Sequence, residues 1–78
     1  MRDFFEVMDV IISYVPDENE LKNALIKIKE DAYYTPPECI GDDWVLVTVT
    51  LENYLGREIP TDKNSWEYKI YSKFVLDI

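Results

Sequence analysis

Histidine is missing from this chain altogether, and cysteine appears once. Without histidine there is neither the commonest general base nor the commonest transition-metal ligand. Cys39 therefore has no histidine to form a nucleophile pair with, and a zinc site would need several ligands of the missing types. One cysteine also excludes an intrachain disulfide, and a cytoplasmic location is expected from that usage. Two glycines cannot build a phosphate-cradling loop. Basic residues are scarce, 8 against 16 acidic, for a net charge of −8. Uninterrupted apolar runs fall short of the roughly 20 residues of a membrane span. Acids interrupt the apolar N-terminal stretch MRDFFEVMD, so no signal peptide is expected. These absences point away from an enzyme, and neither a cofactor nor a metal is expected.

What is present describes a small folded unit. The 78 residues are enough for one domain, taken as 1–78, with a small core. Apolar content of 47% and aromatic content of 14% argue against disorder. The acidity is spread along the chain, nine acids against four bases in residues 1–39 and seven against four in 40–78. Such a surface repels DNA, RNA and anionic lipid, and it attracts basic proteins. Acidity of this kind also serves solubility alone.

Helical spacing dominates the first half. Residues 3–15 carry Asp3, Glu6, Asp9 and Ser13 as one polar stripe on an otherwise apolar helix, ended by Pro16. Residues 18–34 carry Leu21, Leu25, Ile28 and Ala32 as an apolar stripe, with Glu18 and Lys22 spaced for an ion pair. Tyr33 and Tyr34 mark the end of that helix. Three pairs fit a capping box: Asp17 with Glu20, Thr35 with Glu38, and Asn64 with Glu67.

The second half reads both ways. Val45, Val47, Thr48, Val49 and Thr50 favour a strand by local preference. Against that, Trp44, Val47, Leu51 and Leu55 form a helical stripe, Asp42 and Asp43 suit a helix start, and Gly56 suits the position after a helix end. Residues 65–78 show both periods, with Ile70, Tyr71, Phe74, Val75 and Ile78 as the helical set. The fold expected is an all-α, small four-helix bundle with short loops. The alternative is α+β, two helices packed on a C-terminal antiparallel hairpin.

Acids and tyrosines cluster around the middle of the chain. Glu30, Asp31, Tyr33, Tyr34, Glu38, Asp42 and Asp43 form one acidic, aromatic surface if residues 35–43 fold back over the second helix. Tyrosine is favoured at binding hot spots because it is large, rigid and able to hydrogen-bond. These tyrosines could equally cover the end of a small core. Asp42 and Asp43 read as helix-start residues rather than an acid/base pair or calcium ligands. Cys39 reads as a small half-buried apolar residue rather than a reactive thiol.

Two families share short stretches with the chain. DDWVLVTVTLENYLGREIP resembles the second helix of acyl carrier proteins with the Glu-Ile-Pro that follows it, and KFVLDI resembles their closing helix. In place of that family's Asp-Ser-Leu, whose serine carries phosphopantetheine, stands Gly41-Asp42-Asp43, and no serine lies between Gly41 and Pro60. The resemblance implies a degenerate carrier-like adaptor domain without a prosthetic group. Asp31-Ala32-Tyr33-Tyr34-Thr35-Pro36 is similar to the Asp…Tyr-Tyr-Pro segment of immunity proteins of nuclease bacteriocins, which are acidic four-helix bundles. That similarity implies a partner that is a nuclease.

The function expected from charge and aromatics is a small non-enzymatic protein-binding module. It would block a basic, nucleic-acid-processing partner, as immunity and anti-defence proteins do, without binding nucleic acid or membrane itself. The carrier-like adaptor is the alternative, and a subunit that self-associates as a homodimer is a third.

Overall fold

Three of the four helices start on a side chain that holds their first N–H groups, yet none is a residue of the three capping boxes. The structure, a computed structural model, describes residues 3–76, with only the backbone described at positions 75 and 76. Helix α1 spans Phe4–Tyr14 and opens on Asp3, whose Oδ1 accepts from the N–H groups of Phe5 at 2.9 Å and Glu6 at 3.4 Å. Helix α2 spans Glu20–Ala32 and opens on Asn19, whose side chain accepts from Leu21 N–H at 2.8 Å. Asp17 lies outside the helix and pairs with Lys22 at 2.7 Å, so Lys22 bonds Asp17 and not Glu18.

The Thr35 box is also replaced. Thr35 closes a turn onto Ala32 O at 3.1 Å, and a 3-10 turn, Pro37–Cys39, leads into helix α3, Ile40–Leu55, which has no side-chain cap. Prolines fix the entry and leave fewer N–H groups to satisfy. Helix α4 spans Trp66–Tyr71 and runs on into a π-helical turn, Ser72–Leu76. Its cap is Ser65, which accepts from Tyr68 N–H at 3.2 Å, while Asn64 only closes a turn onto Asp62. No strand occurs among the described residues, so the hairpin alternative is set aside. The connection from Gly56 to Ser65 is longer than the short loops expected.

The apolar stripes decide the packing. Phe4, Val7, Met8, Ile11 and Val15 face inward from α1 and the residue after it, and Leu21, Leu25, Ile28 and Ala32 face inward from α2. Val47 and Leu51 come from α3, Ile70 and Phe74 from the C-terminal helix. The four polar positions Asp3, Glu6, Asp9 and Ser13 are all exposed, as their spacing predicts. Val75 has no described side chain and Ile78 lies outside the described residues, so that part of the last stripe stays beyond the structure.

Helix α2 lies between α1 and α3, and α1 lies between α2 and α4. The ring of helices is closed where the C-terminal helix meets α3 and the residue that follows it. Trp44 packs on Phe74 with ring centroids 5.2 Å apart, and the Tyr71 hydroxyl donates to the Gly56 carbonyl. The radius of gyration is 12.0 Å, close to the roughly 11.5 Å of a compact chain of this length.

Gly56 takes φ +86°, a backbone conformation that L side chains rarely adopt. A Cβ there would meet no atom within 4 Å, so the requirement is conformational and not steric. Gly56→Ala is expected to destabilise the fold by about 1–3 kcal/mol, read by chemical denaturation. A loss near zero would show that the backbone relaxes out of the positive-φ region.

The charge pairs and Tyr71 set how stability responds to pH. Burial, helped by the carboxylate of Glu52, pushes the Tyr71 phenol above its ordinary 10.0. The carboxylate of Asp9, hydrogen-bonded to Lys29, holds that ammonium above its ordinary 10.5. For both groups the unfolded chain loses its proton first. Their contributions are complete at lower pH and fade as pH rises past those ordinary values. The hydrogen bond from Lys22 holds Asp17 below its ordinary 3.8, so its contribution is present above that value and fades as pH falls below it. The expected profile is a plateau through neutral pH with an alkaline decline beginning near pH 10. Tyr71→Phe is expected to make that decline shallower, measured as denaturation midpoints at stepped pH. An unchanged slope in the variant would show that the phenol does not contribute.

Candidate acidic and aromatic surface

At one end of the bundle an aromatic chain runs from core to surface. Phe74 packs on Trp44, Trp44 meets Phe4 edge-on at 5.0 Å, Phe4 meets Phe5 edge-on at 5.5 Å, and Phe5 stacks on Tyr33 at 4.6 Å with ring planes 13° apart. Phe4 and Phe74 are buried, Phe5 and Trp44 half-buried, and Tyr33 is 63% exposed. Offset and edge-on pairs of this kind are mutually favourable. The exposed ring of Tyr33 is thus held from beneath.

The end of α2 positions the two tyrosines. Tyr33 N–H donates to Glu30 O, Tyr34 N–H to Asp31 O, and Thr35 N–H to Ala32 O, so the last turn tightens. Tyr34 is left 89% exposed. Glu30 and Asp31 are exposed on the same final turn. The chain then doubles back through the 3-10 turn, where Glu38 is exposed, and α3 returns along α2. Residues 33–39 thus connect two helices, α2 and α3, that pack on each other.

A groove of about 480 Å³ lies among them, lined by Asp3, Phe4, Phe5, Ala32, Tyr33, Thr35, Pro37 and Ile40. Its walls come from the start of α1, the end of α2 and the turn before α3. The sequence did not mark Asp3, Phe5, Thr35, Pro37 or Ile40 as surface partners. Asp3 was visible as the first member of a polar stripe, but the groove exists only once α1 and α2 are packed.

The two adjacent aspartates part company. Asp42 is exposed on the first turn of α3. Asp43 is half-buried, and its Oδ2 is buried without a hydrogen-bond partner. The N-terminal end of the helix favours a negative charge there, which offsets part of the desolvation cost. Asp43 is thus the least available of the seven predicted residues. Cys39 is exposed, which corrects the half-buried expectation: the 3-10 turn holds it at the surface, where nothing packs over it. No cluster of three or more metal-ligating side chains occurs among the described residues. No helix there is long and apolar enough to cross a membrane.

Compared with known protein families, with characterised proteins and with solved structures, the chain matches none of them.

Proposed function

We propose that the chain is a non-enzymatic binding module whose acidic, tyrosine-bearing end occludes the positive surface of a basic protein, with a nucleic-acid-processing enzyme as the natural target. The observation that carries this reading is that Tyr33 and Tyr34 are 63% and 89% exposed, and that the acids near them in the chain, Glu30, Asp31, Glu38 and Asp42, are exposed too. An enzyme that binds nucleic acid has a groove shaped for phosphates and lined by Lys and Arg. Carboxylates presented on a rigid scaffold compete for that groove, and the net charge of −8 accelerates encounter. The tyrosines supply what charge alone does not, large rigid contact area that excludes water at the centre of an interface. The groove beside Tyr33 offers a place for an apolar side chain of the partner.

Titration against a panel of basic nucleases, and retention of basic proteins from cell extract, test the proposal at low and at moderate salt. Binding that weakens as salt rises is expected, because the rim charges are exposed and screened. Failure to retain any basic protein at low salt would remove the proposal.

A further inference from the structure

The groove between the start of α1 and the end of α2 has room for more than one apolar side chain. Its volume of about 480 Å³ lies within the roughly 300–1,000 Å³ of ligand pockets. Phe4 and Ala32 are buried in its wall, and Ile40 is half-buried there. Asp3 is the single charged residue among those that line it, and it is exposed. Its Oδ1 accepts from the N–H groups of Phe5 and Glu6, whereas Oδ2 accepts from neither. By capping α1 the carboxylate is held in one place, with an oxygen to spare.

Tyr33 supplies the second feature. One face of its ring is stacked on Phe5 at 4.6 Å, yet the residue is 63% exposed. The other face is therefore open to solvent, on a ring that the stack holds still. A tyrosine face attracts a cation. Lys29 does not fill that place. It lies by the Tyr33 hydroxyl, and its ammonium is bonded to Asp9.

On the reading above, that the chain binds a basic protein, we propose that this groove takes an apolar residue of the partner and an arginine beside it. The apolar side chain packs on Phe4, Ala32 and Ile40. The guanidinium lies on the open face of Tyr33 and pairs with the Asp3 carboxylate. Arginine suits the place better than lysine, because its planar group stacks on a ring and forks to a carboxylate. Its stem adds apolar contact along the groove. Charge decides the class of occupant, since an acidic segment would set its carboxylates against Asp3 on a molecule of charge −8. Arg2, next to Asp3 in the chain, lies outside the described residues and is the rival that the test must exclude.

Chemical-shift titration of the full chain with acetyl-Leu-Arg-amide tests the proposal, with the lysine and citrulline peptides beside it. Citrulline keeps the shape of arginine and lacks its charge. A dissociation constant on the order of 5 mM is expected for so small a probe, with shifts at Phe5, Tyr33 and Ile40. The arginine peptide is expected to bind at least about threefold tighter than the citrulline peptide, and tighter than the lysine peptide. Asp3→Asn keeps the cap, because asparagine caps a helix as well as aspartate does. It is expected to weaken the arginine peptide at least about twofold and to leave the citrulline peptide unchanged. Arg2→Gln is expected to alter the arginine affinity by less than about twofold. Equal binding of arginine and citrulline, shifts confined to other parts of the chain, or an Asp3→Asn variant as selective as the parent would overturn the proposal. So would a gain of about threefold or more on Arg2→Gln, because the groove would then hold the chain's own arginine. Retention of basic proteins from extract is a separate readout. It persists where only the groove assignment fails, and it is lost from a chain that still binds the peptide where only the broader reading fails.

Discussion

Replacing Leu25 by alanine is expected to cost about 2–5 kcal/mol and to lower the thermal midpoint by more than 10 °C. Leu25 is fully buried at the middle of α2, the helix that lies between α1 and α3. Truncation removes apolar contacts on both sides and leaves a cavity that rigid helices cannot close. The whole domain holds only about 4–12 kcal/mol, on the usual scale per residue. A single vacancy therefore removes a large part of its stability. Leu46→Ala is the matched control, the same chemical change at a position 48% exposed, with an expected cost below about 1 kcal/mol. Circular-dichroism melts of the two variants compare them directly. Equal losses would mean that Leu25 contributes no more to the core than a half-exposed leucine does.

The same contrast shows how far the residues declare the fold. Leu21, Leu25, Ile28 and Ala32 announce their burial by spacing alone, and all four are buried. Helix α3 was harder, because five of the six residues from Val45 to Thr50 are β-branched and prefer strands. The Trp44, Val47, Leu51 and Leu55 stripe outweighs that preference, since burying it against α2 and the core gains more than local propensity costs. The caps of α2 and α4 lie two residues and one residue beyond the expected positions for a simple reason. A short polar side chain followed by Glu occurs at several offsets, and the backbone chooses the one beside the first residue that can pack. After Pro16 the chain needs a turn, closed by Asn19 N–H onto Pro16 O at 3.1 Å, so the helix opens at Asn19 and not at Asp17. Of the candidate surface, the acids and tyrosines were legible because charge and aromatics keep their character wherever they lie. The groove beside Tyr33 was not, because its lining joins residues 3–5 at the start of α1 to residues 32–40, far away in the chain. Nor was the difference between Asp42 and Asp43, which depends on which way the first turn of α3 faces.

Tyr34→Ala is expected to weaken binding of a basic partner by roughly 30-fold or more, equivalent to about 2 kcal/mol, with the thermal midpoint unchanged. Tyr34 is 89% exposed, so little in the fold depends on its ring. Tyr33→Ala is a less clean probe. That ring is stacked on Phe5, and its loss would also cost stability by about 0.5–1.5 kcal/mol. The pair of variants thus separates two roles that the tyrosines could play. If they only cover the end of a small core, Tyr33→Ala lowers the midpoint and neither variant changes affinity. If they are anchors, Tyr34→Ala alters affinity alone. Charge reversal at Glu30 and Asp31, both exposed on the final turn of α2, probes the other half of the surface. It should slow association at low salt and have less effect at moderate salt, because exposed charges act mainly through the encounter rate. Calorimetric titration of a retained basic protein against all these variants gives the affinities, and stopped-flow mixing gives the rates. An unaltered affinity for Tyr34→Ala, alongside a rate loss from the charge reversals, would leave an acidic surface without an aromatic anchor. The tyrosine part of the proposed interface would then have to be withdrawn.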